Sequence, residues 1–181
     1  MAHDSETPSH HTASLEERIQ AAVDSEGETS VVLRARSLLE GGYEGEEFLR
    51  VVGGPHADGI LAGAPSLYWP ELWGARALNY VWSDAAAPAV IAGLGNQAWR
   101  VREMCAKVAA LRSIAAPEAL TALTALTTDD HARVRSAAAR ALASTGDAST
   151  QDTLEALLRD PDKEVRRTAQ QSLKTLKDPL S

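Results

Sequence analysis

Few side chains in this sequence are of the kinds that do covalent or metal chemistry, and their spacing limits what they can do. His56 and Asp58, in Gly-Gly-Pro-His-Ala-Asp-Gly, offer two ligands where a zinc site takes three or four, so the pair reads as turn-stabilising. His3, His10 and His11 lie in a polar opening segment and would hold a metal only adventitiously. Cys105 is the single cysteine. It has no partner for an internal bridge and falls at a position repeated elsewhere as alanine, which predicts a small buried hydrophobe rather than a nucleophile. These residues predict no catalytic group, no metal site and no cofactor.

What the chain does carry is charge at regular intervals. Val101-Arg102, Val134-Arg135 and Val165-Arg166 are separated by 33 and 31 residues, and each dipeptide opens a similar segment: VREMCAKVAAL, VRSAAARALAS and VRRTAQQSLKT. The register extends one unit back, where ARAL at 75–78 lies over AKVA at 106–109, ARAL at 139–142 and QQSL at 170–173. Self-similarity at such a period is the signature of stacked helical units. In this alignment Arg76, Lys107, Arg140 and Gln171 form one column flanked by small residues. Cations on successive helices, spaced by roughly 10 Å, suit an acidic peptide or a phosphate backbone; the plainer alternative is a solvated helix face.

The elements that must position this column follow from apolar spacing and stop signals. Residues 1–14 are polar and predict a flexible tail. Residues 15–65 predict a cap of about three helices: one from Leu15, with Leu15, Ile19, Ala22 and Val23 on one face; one over 30–40, ended by Gly41-Gly42; and one over 46–52, stopped by Gly53-Gly54-Pro55. Residues 66–181 predict repeats at about 66–95 (degenerate), 84–112, 115–145 and 147–177. Shorter helices over 86–94, 117–126 and 150–158 precede the aligned ones. Pro88 and Pro117 suit a first helical turn, and Asp129-Asp130 and Asp160-Pro161-Asp162 supply carboxylates where the next helix begins.

An aspartate, a few residues, Val-Arg and then small residues ending in Ala-Leu resemble the second helix of a HEAT repeat, specifically the bacterial HEAT-like type also seen in phycobilisome lyases. DDHARVRSAAARAL at 129–142 is the fullest instance, DPDKEVRRTAQQSL at 160–173 is close to it, and the first unit departs, with Pro70-Glu71 in place of Val-Arg. The resemblance implies an all-α, right-handed α-α superhelix. It also implies a ladder in which Arg102, Arg135 and Arg166 bond aspartates, Asp129 and Asp160 among them, at the preceding turn or in the next repeat. Second helices line the concave face in this family, which puts Arg76, Lys107 and Arg140 on a partner-binding surface. Polar Gln170 and Gln171, with Lys174, Lys177 and Asp178, predict a wet outer face on the last helix.

Six aromatics, Tyr68, Trp69, Trp73, Tyr80, Trp82 and Trp99, fall close together in the sequence. They serve either to pack the junction between cap and repeats or as an exposed hot spot, with Trp73 and Trp99 expected to be partly exposed. Some HEAT-like proteins are alkylpurine DNA glycosylases, and the tryptophans, the Arg76 column and nearby Asp84 fit that alternative. Charge disfavours nucleic acid. The whole chain carries −7; residues 1–60 hold twelve acidic against four basic side chains, and 61–181 thirteen against fourteen. With no long apolar run, the expectation is a cytoplasmic protein-binding scaffold whose partner is another protein or acidic peptide, without membrane contact.

Overall fold

The computed structural model describes residues 13–145 and 147–177, and every regular element among them is helical. The predicted tail therefore falls outside the described residues up to His11 and Thr12, as do His3, His10, His11 and Asp178. Contacts divide the chain into two compact units, one ending at Ser83 and the other beginning at Asp84.

In the first unit, α1 (Leu15–Glu26) starts where Ser14 accepts the Glu17 amide and the Glu17 carboxylate accepts the Ser14 amide, a reciprocal cap. Gly27, at φ +87°, turns the chain directly into α2 (Glu28–Leu39), two residues earlier than the spacing predicted. α3 (Gly45–Gly53) ends at the predicted glycines. The segment after it is not a loop: Pro55 opens a short helix, α4 (Pro55–Leu61), because its missing N–H costs nothing in a first turn. α5 (Trp69–Ala77), the first of the four aligned helices, packs against α2 and α3 around Ile19, Val31, Val32, Leu38, Phe48 and Val52, none more than 2% exposed. Gly74 sets the α2–α5 spacing: a Cβ there would lie 2.5 Å from the Ala35 carbonyl oxygen.

The second unit alternates short and long helices. α7 (Trp99–Leu111), α9 (Ala132–Ser144) and α11 (Lys163–Lys177) pack side by side. Each has a short partner behind it, α6 (Ala87–Gly93), α8 (Pro117–Leu126) and α10 (Gln151–Ala156), with 3-10 turns at Asp84–Ala86, Ala148–Thr150 and Leu157–Arg159. Val101, Val134 and Val165 are each 0% exposed, as are Cys105, Ala138 and Ala169. Equivalent residues at equivalent depth make one apolar seam that continues from repeat to repeat, which a single helical pair would leave exposed. The fold is an all-α solenoid of α-α superhelix type.

Candidate functional site

Arginine and aspartate tie the second helices together in a regular pattern. Arg102 Nε donates to Asp129 Oδ2 at 2.8 Å, and Arg135 donates through Nε and Nη2 to both oxygens of Asp160, at 2.7 and 2.8 Å. Each arginine thus reaches the aspartate one repeat ahead. Each also reaches back with Nη1 to the turn before its own helix: Arg102 to the Asn96 and Gln97 carbonyls, Arg135 to Asp129 and Asp130, Arg166 to Asp160 and Pro161. The aspartates do a second job, since Asp129 accepts the His131 amide and Asp160 the Asp162 amide, fixing the turn that starts the helix.

The carboxylates are buried, with side-chain exposures of 6% for Asp129 and 4% for Asp160, so their charge depends on these donors. Hydrogen bonding from Arg135 holds the Asp160 carboxyl below the usual range, and the same bond raises the Arg135 guanidinium. At Asp129 burial opposes ionisation, but bonds from Arg102 and the His131 amide outweigh it and the pKa is again lowered.

The cationic column is less uniform than its alignment. Lys107 Nζ lies 2.8 Å from Glu103 Oε1, and Arg133 Nε lies 3.1 Å from the same oxygen, so Glu103, 7% exposed, takes charge from two helices. Arg140 and Gln171 are exposed on α9 and α11. With Arg167 and Lys174 they line a groove of about 620 Å³ between those helices, and no carboxylate is among its lining residues. Lys107, Arg133 and Arg140 line a neighbouring groove of about 280 Å³ together with Glu103, Asp162 and Glu164. Arg76, in the first unit, does not stand on a solvated face. It is half-buried, with Nη2 donating to the Val52 carbonyl at 3.2 Å, because the segment Leu72–Ala77 that carries it is packed into the core.

The two singled-out tryptophans differ. Trp73 is only 3% exposed, against the expectation of partial exposure. Its ring lies over Gly53, where a Cβ would come within 2.6 Å of it, so the absent side chain at Gly53 is what lets the indole sink into the core. Trp99 is half-buried at the start of α7, stacked on His131 at 4.9 Å and 14°, with the Arg100 and Arg133 guanidinia 4.4 and 5.5 Å from its ring. Tyr68, Trp69 and Trp73 contact in series, at 5.0 and 6.2 Å.

Glu103, Arg133, Arg167 and His131 were not singled out from the sequence, and Lys174, expected only to keep the outer face of the last helix wet, lines the α9–α11 groove. Glu103 had a readable signal, four residues before Lys107 on one helix face, where opposite charges pair. The others come together only when the second helices are laid side by side. His56 and Asp58 lie on α4, where Asp58 accepts from Arg50 at 3.3 Å. Exposed Asp84 opens the turn before α6. Among the described residues no three His, Cys, Asp or Glu side chains are grouped to hold a metal, and no helix is long and apolar enough to cross a membrane.

The sequence matches the family model for HEAT repeats over residues 72–143 and 125–181, together more than half of the chain. The chain belongs to the HEAT-repeat family. Its fold is similar to the crystal structure of an engineered protein from a structural-genomics consortium, at 24% identity and a TM-score of 0.50, covering 91% of this chain and 85% of that one. No curated protein matches it. HEAT repeats form scaffolds that typically mediate interactions with other proteins, and the Val-Arg and Asp positions described above lie inside the matched repeats.

Proposed function

We propose that this HEAT protein is a binding scaffold that recognises an acidic segment of a partner protein through the second-helix face of its repeats. The observation that carries this reading is the α9–α11 groove, where Arg140, Arg167 and Lys174 line the walls without a carboxylate among the lining residues, and Gln170 and Gln171 add neutral donors. In the next groove the buried Glu103 carboxylate already accepts from Lys107 and Arg133, so a partner carboxylate there competes for those cations, whereas in the α9–α11 groove Arg167 meets only the exposed Glu164, at 3.4 Å, and this makes that groove the anchor. Partly exposed Trp99, its ring stacked on His131 and met by the Arg100 and Arg133 guanidinia, adds apolar contact area beside these cations.

Charge favours peptide over nucleic acid. From Asp84 onward the chain has thirteen basic and twelve acidic side chains, whereas a duplex backbone demands neutralisation of several phosphates by a strongly basic surface. The test is fluorescence anisotropy with a labelled oligoglutamate peptide and, in parallel, labelled duplex DNA at low salt. The peptide is expected to bind and the DNA not. Replacing Arg140, Arg167 and Lys174 by alanine should weaken peptide binding by about tenfold, three exposed pairs contributing roughly 0.5 kcal/mol each. Unchanged peptide affinity in that variant removes the groove from the reading, and tight, salt-sensitive DNA binding replaces the reading with nucleic-acid recognition.

A further inference from the structure

The first unit holds a pocket of its own, of about 410 Å³. Its walls are Ile60, Pro65, Trp69 and Trp73, with His56 on one side and Arg76 on another. Gly59 and Ala64 also line it and contribute almost no side chain, so the space stays open. The volume lies within the range of small-molecule sites, which join apolar and aromatic walls to a few placed polar groups.

Arg76 is the unusual member. Buried guanidinia are nearly always matched to a carboxylate, because an uncompensated charge away from water is costly. Among the described residues Arg76 has no carboxylate partner: Nη2 donates to the Val52 carbonyl, and buried Nε meets no acceptor. The other core guanidinium of this unit, Arg18, is in the same condition. It is 8% exposed, and it donates to the Val51 and Ala13 carbonyls. Burial lowers the pKa of both arginines, and Arg76 lies close enough to Arg18 to disfavour its charge further. The shortage is local. The chain up to Ser83 has thirteen acidic side chains to five basic ones, yet none of the eleven acids among the described residues pairs with either arginine.

We propose that this pocket binds an organic monocarboxylate with a flat apolar body, the body lying between Trp69, Ile60 and Pro65 and the carboxylate taken by the Arg76 guanidinium. A guanidinium and a carboxylate match in planar, paired geometry, and the indole walls reward a flat ring. Inorganic phosphate satisfies the charge and leaves the walls wet, so it is the weaker ligand. The carboxylate comes either from a free small acid or from the C-terminus of a peptide ending in an aromatic residue.

The probe is phenylacetate, followed through the indole N–H signals of ¹⁵N-labelled protein. It is expected to shift the Trp69 and Trp73 signals saturably and to leave Trp99 in place. Neutral phenylacetamide, of the same shape, should bind about tenfold more weakly, the loss of a charge-assisted hydrogen bond. Ile60→Trp, which fills a partly exposed wall without touching Arg76, should abolish the shifts with the helical circular dichroism retained; Arg76→Gln should do the same where it folds. A peptide ending in phenylalanine that binds more tightly than phenylacetate, and loses this on C-terminal amidation, identifies a chain end as the source; the reverse order identifies a free acid. Equal shifts from phenylacetate and phenylacetamide, equal shifts from phosphate alone, or unchanged binding by Ile60→Trp overturn the proposal. None of these outcomes bears on the oligoglutamate groove, so the two readings fail separately.

Discussion

The two units solve the same packing problem with different chemistry. In the second unit each second helix presents a small residue at one shared interior position, Cys105, Ala138 and Ala169, and the first two fix their neighbours with an arginine that meets a buried aspartate one repeat ahead. In the first unit the residue in the same register is Gly74, pressed so near α2 that even a methyl group has no room, and the arginines of the core end on backbone carbonyls instead. The contrast teaches what repetition supplies. A residue placed once per repeat makes the same contact again in the next one, so a ladder needs only a single motif. A unit without the repeat must use large, individually shaped contacts, here Trp73 against Gly53 and Phe48 in the centre.

If that contrast is right, the first unit should be the more fragile under single core substitutions. The largest effect is expected from Trp73→Ala, which empties the space over Gly53 and should cost about 3–5 kcal/mol in urea denaturation followed by circular dichroism. A loss under about 1 kcal/mol would mean that the indole is surface ornament rather than core. Next is the ladder: Asp160→Ala leaves the Arg135 guanidinium without its two carboxylate bonds and should cost about 3 kcal/mol, whereas Arg167→Ala, an exposed pair with Glu164, should cost less than about 0.5 kcal/mol. Gly74→Ala then sharpens the comparison at a single register. It should destabilise by about 1–3 kcal/mol through overpacking, while Cys105→Ala, the aligned change in the second unit, should cost under about 1.5 kcal/mol.

The repeat half of the fold was legible because its signal is self-similarity, which survives ignorance of every neighbour. Val101, Val134 and Val165 repeat in the sequence and share one depth in the structure. The first unit repeats nothing, so its details were readable only from local chemistry. That chemistry located the ends of α3 but missed α4, since Gly-Gly-Pro signals a stop and a restart equally well. The fate of Trp73 and Arg76 depended on Gly53 and Val52, twenty and twenty-four residues away, and no spacing rule links those positions. The grooves were half legible for a related reason. Lys107 and Arg140 follow from the alignment, but Arg133, Arg167 and Lys174 stand at other registers and reach the same grooves only through the lateral packing of α7, α9 and α11.

The ladder also gives stability a pH signature that the first unit's carbonyl-bound arginines do not share. Asp160 and Asp129 both have folded-state pKa values below that of the unfolded chain. A depressed carboxylate contributes stability that is fully present above the unfolded value of about 4 and is lost as pH falls through the lower folded value. The penalty of Asp160→Asn relative to the natural protein should therefore be constant from neutral pH down to about 5 and shrink below about 4, where the natural residue is itself becoming protonated. The Arg76→Gln penalty should show no such convergence, because its one acceptor is a backbone carbonyl that does not titrate. Urea denaturation of the three proteins across that range decides the matter. Parallel curves for Asp160→Asn and the natural protein down to pH 3 would show that the ladder holds by shape rather than by charge, and the distinction drawn between the units would then reduce to helix spacing.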